Sequence, residues 1–359
     1  MSVADLALQR NKYKHLSDDE WRWFLQQVEG KERTAEKLPT FASIPDYWYP
    51  VRLSCEQCSS ELAARYKASL VSGEKMADLT GGYGVDTYFL SENFTHTDYV
   101  EQNAELCRIA THNFASKPIT IHNTSAEEFL VSAGQYDLIF LDPARRDSHG
   151  GKVFRLEDCT PNVVELLPTL LAHSNRILLK LSPMLDLTQA ITSLSQVTWD
   201  VYVVAIKNEV KEVLLLSNGS GLITAIDLAQ QDQAFTFTRE EESNSPFNFH
   251  LSPFTFLYEP SAAILKAGAY KLIAERFGLL KLDVNTHLYA SDTLIPNFPG
   301  RIWRITEKQD LKQANVLCRN YPLTPDQLKK KLHLRDGGTA FVIGCRVAGK
   351  PTLFFAERV

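Results

Sequence analysis

Residues Lys75 to Asp86 have the sequence KMADLTGGYGVD, in which an apolar lead-in ends at Asp78 and glycines follow at positions 81, 82 and 84. A segment with helical spacing then runs from Thr87 to Glu92. This order predicts a strand, a glycine turn and the start of a helix. Glycine permits positive φ and close approach of a ligand, and the free N–H groups of a helix N-terminus attract one. We therefore expect a ligand at this turn, although glycine turns also occur where backbone geometry alone requires them.

The next predicted strand, Thr97 to Val100, ends in an acid. Glu101 lies seventeen residues after Gly84, about where a doubly wound sheet places the carboxylate that holds ribose hydroxyls. This spacing would also suit NAD. However, the dinucleotide pattern Gly-x-Gly-x-x-Gly, counted from Gly82, has Thr87 in its last position. The dinucleotide fingerprint is therefore incomplete.

The following segments predict an open sheet whose strands end in polar residues. Ile119 to His122 is predicted as a third strand, and Tyr136 to Leu141 as a buried fourth strand that delivers Asp142 and Pro143. Alternation of strands and helices up to about Leu216 predicts a parallel sheet with helices on both faces. Ligands bind outside the carboxyl ends of such strands, so these residues are expected at one edge. Further strands are predicted at 176–181, 199–205 and 212–216, the last two forming a hairpin with an antiparallel final strand.

Several motifs carry a family resemblance. The pattern DLTGGYGVDTYFL followed by YVEQNAE resembles the S-adenosylmethionine (SAM) site of class I methyltransferases. Together with LDPARRD, LKLSPMLDL, FLYEPSAAILKAGAY, GRIWRI, LRDGGTAFVIG and TLFFAERV, it is similar to a bacterial methyltransferase family that carries a THUMP-like domain. The resemblance covers nearly the whole chain and implies a Rossmann-like α/β sheet of seven strands, the last antiparallel. It implies four regions: N-terminal helices at 1–70, the SAM-dependent methyltransferase domain at 71–245, a small ferredoxin-like segment at 246–284, and a THUMP-like α+β domain at 285–359.

The resemblance also implies a cofactor and its site. SAM would be held by residues at the strand ends and the glycine turn, namely Asp78, Thr80, Gly81, Gly82, Gly84, Asp86, Glu101, Gln102, Ser125, Ala126 and Asp142. Transfer of a methyl group from a sulfonium is an in-line displacement, so the protein mainly positions the acceptor. We expect Asp142 and the Pro143 carbonyl to direct an acceptor nitrogen, and we count Arg145 with them as a candidate catalytic residue. Amino-methyltransferases commonly have a second proline and an aromatic here; Ala144 and Arg145 take those places, and a guanidinium can stack on a base or hold a phosphate.

Other roles for this region stay open. Arg145 and Arg146 could instead pair with Asp147, Glu157 or Asp158. Lys180, at the end of the fifth strand, could meet the substrate or pair with Asp142.

The Asp-Pro-x-Arg form is also similar to that of RNA uridine-carbon methyltransferases, which need a cysteine nucleophile. Cys159 is the one cysteine that follows this loop within the methyltransferase domain. It lies in LEDCTPN, which lacks the motif that surrounds the nucleophile in those enzymes.

The N-terminal region is predicted to be helical, with one helix from about Cys55 to Val71 capped by Ser54. The cluster Arg65-Tyr66-Lys67 on that helix could contact the cofactor pocket, although solvated surface charge is the simpler interpretation. Cys55 and Cys58 form a close pair, but no second pair completes four zinc ligands, so we expect no metal.

The C-terminal part is predicted to begin with one amphipathic helix that starts at Tyr258-Glu259-Pro260-Ser261. Short strands and a lysine-bearing helix, 324–331, follow it. Residues 285–359 contain twelve Lys and Arg against six Asp and Glu, a balance of +6 in a chain whose net charge is −5, so the remainder carries −11. A basic module beside an acidic catalytic domain is typical of nucleic-acid binding, while a solvated lysine face is the alternative.

Composition limits the location and the partners. No run approaches the roughly 20 apolar residues of a membrane span, and the first residues are too charged for a secretory signal, so we expect a cytoplasmic protein. Because THUMP domains are associated with RNA modification, the resemblance implies RNA as the partner. Three hypotheses follow: methylation of a base nitrogen in tRNA or rRNA, methylation of a protein or small molecule, and a non-catalytic RNA-binding protein that keeps the fold.

Overall fold

The helices at the N-terminus precede the sheet and are shorter than the sequence predicts. The computed structural model describes residues 5–6, 8–145, 155–229, 234–247, 249, 253–308 and 310–359, with only the backbone of Arg145. The helices before the first strand are α1 (Asp18–Thr34), α2 (Pro39–Ser43), α3 (Arg52–Gln57) and α4 (Glu61–Ser69). The single helix predicted from Cys55 is wrong, because the backbone is extended at Cys58 and Ser60 caps a new helix by accepting from the Ala63 N–H.

The chain folds into two compact units, Met1–Asp200 with Val213–Ser220, and Val201–Glu212 with Gly221–Val359. The first unit alternates strands and helices as predicted. Its elements are β1 (Gly73–Asp78), α5 (Val85–Leu90), β2 (Phe94–Val100), α6 (Ala104–Asn113), β3 (Ile119–His122), α7 (Ala126–Ser132), β4 (Leu138–Leu141), β5 (Ala144–Arg145), β6 (Cys159–Thr160), α8 (Val163–His173), β7 (Ile177–Leu181) and α9 (Leu187–Ser193). The two short strands, β5 and β6, pair with each other in antiparallel orientation.

The chain continues with β8 (Trp199–Ile206) and β9 (Glu209–Ser217), which are connected by Lys207 and Asn208. Hydrogen bonding orders the main strands of the first unit β3-β2-β1-β4-β7-β9. All are parallel except β9, which pairs antiparallel with β7 at Leu179 and Leu215. The predicted antiparallel final strand of the class I sheet is thus confirmed. Every residue of β4 is buried, as expected for a parallel strand covered on both faces.

The register brings the carboxyl ends of the central strands together. Asp78 at the end of β1 lies opposite Tyr99 of β2 and Phe140 of β4. The residues that directly follow these strands therefore meet at one edge of the sheet, which is the position predicted for the ligand site.

The second unit contains β8, then β10 (Leu222–Asp227) parallel to it, β11 (Phe235–Thr238) antiparallel to β10, and α10 (Arg239–Asn244). A further sheet follows in the same unit. Its elements are β12 (Phe256–Pro260), α11 (Ala262–Ala267), α12 (Leu272–Phe277), β13 (Leu280–Asp283), β14 (Thr286–Ser291), β15 (Gly300–Thr306), β16 (Asn315–Arg319), α13 (Pro325–Lys331), β17 (Ala340–Val347) and β18 (Lys350–Arg358). The strand order is β13-β14-β12-β15-β18-β17-β16, around a core that contains Trp303.

The single amphipathic helix predicted to start at Tyr258-Glu259-Pro260-Ser261 is confirmed only in part: Ser261 caps a helix that begins at Ala262, but the residues before it are a strand. Residues 256–260 form strand β12, whose side chains are all buried and which pairs with both β14 and β15. Two short helices follow, and the first ends at Gly268, which adopts a φ of 89°. A left-handed glycine at this position stops a helix. None of the helices described has the length and apolar character that crossing a membrane requires.

Candidate active site

The turn after β1 has the geometry that its glycines predict. Gly84 caps α5 with a φ of 80°, a conformation that residues with a side chain rarely adopt. Gly81 has a different constraint, because a Cβ atom there would lie 2.2 Å from the ring of Tyr99. The hydroxyl of Tyr99 in turn donates to the carbonyl of Gly82 over 2.6 Å. The predicted strand, glycine turn and helix start are confirmed, and the turn is packed directly against β2.

Glu101, at the end of β2, is held against this turn by backbone donors. Its Oε2 accepts from the Gly82 N–H over 2.9 Å, and its Oε1 accepts from the Asn103 N–H over 2.8 Å. A carboxylate offers about four acceptor positions, so two remain for hydroxyl groups of a ligand. The acid predicted from its spacing therefore lies beside the turn, oriented and able to accept further hydrogen bonds.

Asp78, at the end of β1, is buried beneath the turn. Its carboxyl oxygens accept from the Thr80 N–H over 3.0 Å and from the Thr87 hydroxyl over 2.5 Å. Burial raises the pKa of Asp78 to about 7, although both hydrogen bonds act in the opposite direction. Its carboxyl group thus joins the strand end to the start of α5.

Asp142, at the end of β4, is tied to the same turn. Its N–H donates to the Thr80 hydroxyl over 2.6 Å, and its Oδ2 accepts from the Lys180 ammonium over 2.5 Å. Two roles were considered for Lys180 from the sequence, and the structure shows one of them, the pairing with Asp142. Within the described chain we find no hydrogen bond to Oδ1 of Asp142, whose side chain is 40% exposed.

A cavity of about 350 Å³ lies over the turn and the strand ends. It is lined by the predicted cofactor residues Asp78, Thr80, Gly81, Gly82, Gly84, Asp86, Glu101, Gln102, Ala126 and Asp142. Ser125 is not in its wall, and its hydroxyl instead caps α7 by accepting from the Glu128 N–H over 3.1 Å. The structure thus brings ten of the eleven predicted cofactor residues into one cavity.

Only one of the three predicted catalytic residues lines the cavity among the residues that the structure describes. Asp142 lines the cavity, whereas Pro143 is buried and does not. The side chain of Arg145, and the whole of Arg146 and Asp147, lie outside the described residues. Their predicted roles stay predictions.

The cavity wall also contains residues that the sequence analysis did not assign. Ser54 and Gln57 belong to α3, and Cys58 and Ser59 lie between α3 and α4; Thr160 is the last residue of β6, and Pro161 follows it. A contact of the helix before β1 with the pocket was considered only for Arg65-Tyr66-Lys67, and no motif marked the side chains of residues 54–59. Cys159, the candidate carbon-methylation nucleophile, is buried and is not part of the wall.

Lys67 is completely buried, so the interpretation of this residue as solvated surface charge is wrong. Its ammonium lies 3.2 Å from Oδ1 of Asp86 and donates to the Ser59 hydroxyl over 3.3 Å. Burial raises the pKa of Asp86, but the ammonium groups of Lys67 and Lys180 and the Ser59 hydrogen bond outweigh it and hold this pKa below its usual value. Asp86 is therefore a buried carboxylate between two lysines in the cavity wall.

The cysteine pair near the cavity contains two free thiols, and the Cys58 thiol donates to the Cys55 carbonyl over 3.2 Å. In the part of the chain that the structure describes, no group of three or more His, Cys, Asp or Glu residues could hold a metal ion.

A Rossmann-like sheet with an antiparallel last strand, a glycine turn and acids at the ends of β2 and β4 define a class I SAM-dependent methyltransferase. Family models match a ferredoxin-like domain at residues 256–299 and a THUMP domain-like region at residues 300–358. A crystal structure of a Porphyromonas gingivalis W83 protein described as a methyltransferase is 33% identical, with a TM-score of 0.86, and the match covers 96% of this chain and 92% of that one. The chain therefore belongs to the family of class I SAM-dependent methyltransferases that carry a THUMP-like domain.

A curated relative supports the same assignment. An uncharacterised SAM-dependent methyltransferase of Mycobacterium tuberculosis (strain H37Rv) is 21% identical over 340 residues, which are 90% of this chain and 92% of the relative. SAM is accordingly the cofactor, and it supplies the methyl group as a sulfonium.

The residues of the cavity fit this cofactor. Gly82 leaves the turn open to close approach, because an added Cβ there would meet nothing nearer than the Thr80 carbonyl at 3.7 Å, and Glu101 retains acceptor positions suited to ribose hydroxyls. The volume of about 350 Å³ lies within the range of small-molecule sites.

Proposed function

We propose that this methyltransferase acts on a base nitrogen of RNA, either tRNA or rRNA, by direct in-line transfer. The observation that carries the proposal is the state of Asp142 at the cavity. Its Oδ2 is held by Lys180, its side chain is partly exposed, and no partner of Oδ1 is found among the described atoms. An oriented carboxylate oxygen of this kind accepts a hydrogen bond from an amino group.

The chemistry needs an acceptor nitrogen whose lone pair points toward the methyl carbon. In this proposal Asp142 holds one amino hydrogen at Oδ1, whereas the second predicted acceptor, the Pro143 carbonyl, belongs to a buried residue outside the cavity wall and stays a prediction. As the N–C bond forms, the nitrogen becomes cationic and must release a proton, which the carboxylate of Asp142 can receive. Fixing the nitrogen at Asp142 is a positioning role, and positioning supplies much of the rate in such displacements.

The RNA assignment is supported by the charge of the C-terminal region. The balance of +6 in residues 285–359 includes exposed Lys330, Lys331 and Arg335 at and after the end of α13. Clustered cations of this kind bind phosphates with release of counterions. On β15 and β16, Arg301 and Arg319 are partly exposed and both pair with the buried Glu259, which holds their guanidinium groups in place.

Methyl transfer to RNA tests the acceptor. Purified enzyme with radiolabelled SAM should methylate RNA from a strain that lacks the gene, and mass spectrometry of nucleosides should identify an N-methylated base. Asp142→Ala should abolish transfer and leave the affinity for S-adenosylhomocysteine within a few fold. Asp292→Ala, which removes an exposed carboxylate of the second unit, is the control and should be fully active. Label in protein, with none in any RNA fraction, would show that the RNA assignment is wrong.

Salt dependence tests the binding surface. Neutralising Lys330 and Lys331 to Gln should reduce the slope of log affinity against log salt by about 2, because each phosphate contact contributes about one unit. Lys14→Gln with Lys31→Gln removes the same charge from exposed positions of the N-terminal region and should leave the slope unchanged. If the slope of log affinity against log salt were the same in both double variants, Lys330 and Lys331 would not contact RNA.

A further inference from the structure

Four charged side chains of the first unit form a chain of alternating sign that ends at the cavity. Lys67 Nζ lies 3.2 Å from Asp86 Oδ1, and Lys180 Nζ lies 3.5 Å from Asp86 Oδ2 and 2.5 Å from Asp142 Oδ2. These residues come from α4, α5, the end of β7 and the end of β4. The buried lysine of an N-terminal helix is thus connected to the carboxylate that faces the acceptor.

Lys180 is shared by two carboxylates with different environments. The side chain of Asp86 is 10% exposed, whereas that of Asp142 is 40% exposed. A buried carboxylate has lost most of its hydration and gains more from an ammonium than a hydrated one does. Asp86 would therefore compete strongly for Lys180, and yet the ammonium lies closer to Asp142.

The position of Lys67 explains this preference. Its ammonium compensates the charge of Asp86, and Ser59 adds a hydrogen bond to Oδ2 over 2.8 Å. These two residues and Lys180 are the polar partners of the Asp86 carboxylate found among the described residues. With Asp86 satisfied from its buried side, Lys180 remains with Asp142.

We propose that Lys67 is a positioning residue for methyl transfer, which neutralises Asp86 and thereby keeps the Lys180 ammonium on the Asp142 carboxylate. The catalytic consequence rests on the function proposed above for Asp142. The claim that Lys67 keeps the Lys180 ammonium on Asp142 does not depend on that function. Crystal structures test the position of Lys180, and turnover tests the catalytic consequence.

Crystal structures of the full chain with S-adenosylhomocysteine test the geometric claim. In Lys67→Met, Lys180 Nζ should move to Asp86 and lie more than about 4 Å from Asp142, beyond ion-pair distance. In the double variant Lys67→Met/Asp86→Asn, the competing charge is gone and Lys180 should be back on Asp142. A Lys180–Asp142 contact that persists in the single variant would overturn the proposal.

Turnover per S-adenosylhomocysteine-binding site tests the consequence, with the RNA pool described above as acceptor. Lys67→Met should lower kcat by roughly tenfold to a hundredfold, with KM for RNA and affinity for S-adenosylhomocysteine nearly unchanged. The double variant should recover most of the lost turnover. Lys281→Met is the matched control, because it removes another buried lysine, one that donates to the Val284 carbonyl in the second unit. It should lower stability without changing turnover per binding site.

A failure of the Lys67 proposal can be told apart from an unfolded Lys67→Met variant and from a failure of the RNA function. If Lys67→Met does not fold, the double variant decides, and loss of its Lys180–Asp142 contact would count against the proposal. If the wild-type enzyme methylates no RNA, the RNA function fails while the crystal structures still decide the role of Lys67. If turnover per binding site in Lys67→Met equals that of the wild type, Lys67 serves stability alone.

Discussion

The N–H of Asp142 donates a hydrogen bond to the hydroxyl of Thr80 over 2.6 Å, across 62 positions of the chain. Thr80 belongs to the glycine turn, and Asp142 directly follows β4. This bond joins the part of the site that would hold the cofactor to the part that would hold the acceptor. Together with the direct pairing of β1 and β4, this bond fixes the spacing between the two strand ends.

Thr80→Val should remove the hydrogen bond that joins the glycine turn to Asp142. Valine has a similar shape but cannot accept the hydrogen bond, so the Asp142 N–H would lose its partner at a cost of about 1–3 kcal/mol. We expect a lower free energy of unfolding in urea denaturation and a larger loss in methyl transfer than in S-adenosylhomocysteine affinity. Thr192→Val is the control, because the Thr192 hydroxyl is exposed and donates within its own helix to the Thr188 carbonyl. Equal effects of the two substitutions would contradict the role of Thr80.

Gly81→Ala should close the turn by steric conflict with Tyr99. The added methyl group would lie 2.2 Å from the ring, and overpacking of this kind typically costs about 1–3 kcal/mol. Calorimetry should detect no binding of S-adenosylhomocysteine. Gly134→Ala is matched in chemistry, but its Cβ would meet nothing nearer than the Lys75 ammonium at 3.8 Å, so binding should be retained. Normal binding by Gly81→Ala would show that the turn can move.

Asp78→Asn should change how stability depends on pH. Because burial raises the folded-state pKa of Asp78 to about 7, the folded protein keeps this proton while the unfolded chain loses it above about pH 4. The wild-type free energy of unfolding should therefore decrease relative to that of the variant as pH rises from about 4 to 7, by on the order of a few kcal/mol, and the difference should then stay constant. Urea denaturation across this range measures it. A difference independent of pH would contradict the raised pKa.

Lys180→Met should make the protein more sensitive to acid. The pKa of Asp86 is lowered in spite of burial, by Lys67 first and then Lys180, so this carboxylate stabilises the fold above its unfolded pKa and the contribution is lost as pH falls. Without Lys180 the pKa of Asp86 rises, and circular dichroism should show acid unfolding at a higher pH. Breaking one partner of a buried pair should also cost about 3–5 kcal/mol.

Lys211→Met is the control for this variant. Lys211 is an exposed lysine whose partner, Glu209, is also exposed, and such pairs contribute about 0–1 kcal/mol. Its acid transition should match that of the wild type. A shift of equal size in both variants would point to a general effect of net charge instead of the Asp86 site.

Much of the first unit was predictable because its signals are local. The glycine turn, the apolar strands and the polar residues after them depend on neighbours within a few positions, and strands that run parallel must place their carboxyl ends at one edge. The predictions failed where the signal was ambiguous. Residues 256–258 form a short apolar run that both a helix and a buried strand allow, and pairing with β14 and β15 decided for the strand.

The sequence by itself determined the class of sheet, the glycine turn where we predict the cofactor, and the acids Glu101 and Asp142 near it, since spacing and strand polarity follow from short-range chemistry. Tertiary structure decided which groups already bind the carboxylates of Glu101 and Asp142, that Lys67 is buried rather than solvated, and that Ser54 and Gln57 contribute to the cavity wall. The physical reason is that burial and pairing of a charge depend on residues far away in the chain. Only the folded arrangement establishes which carboxylate each lysine neutralises.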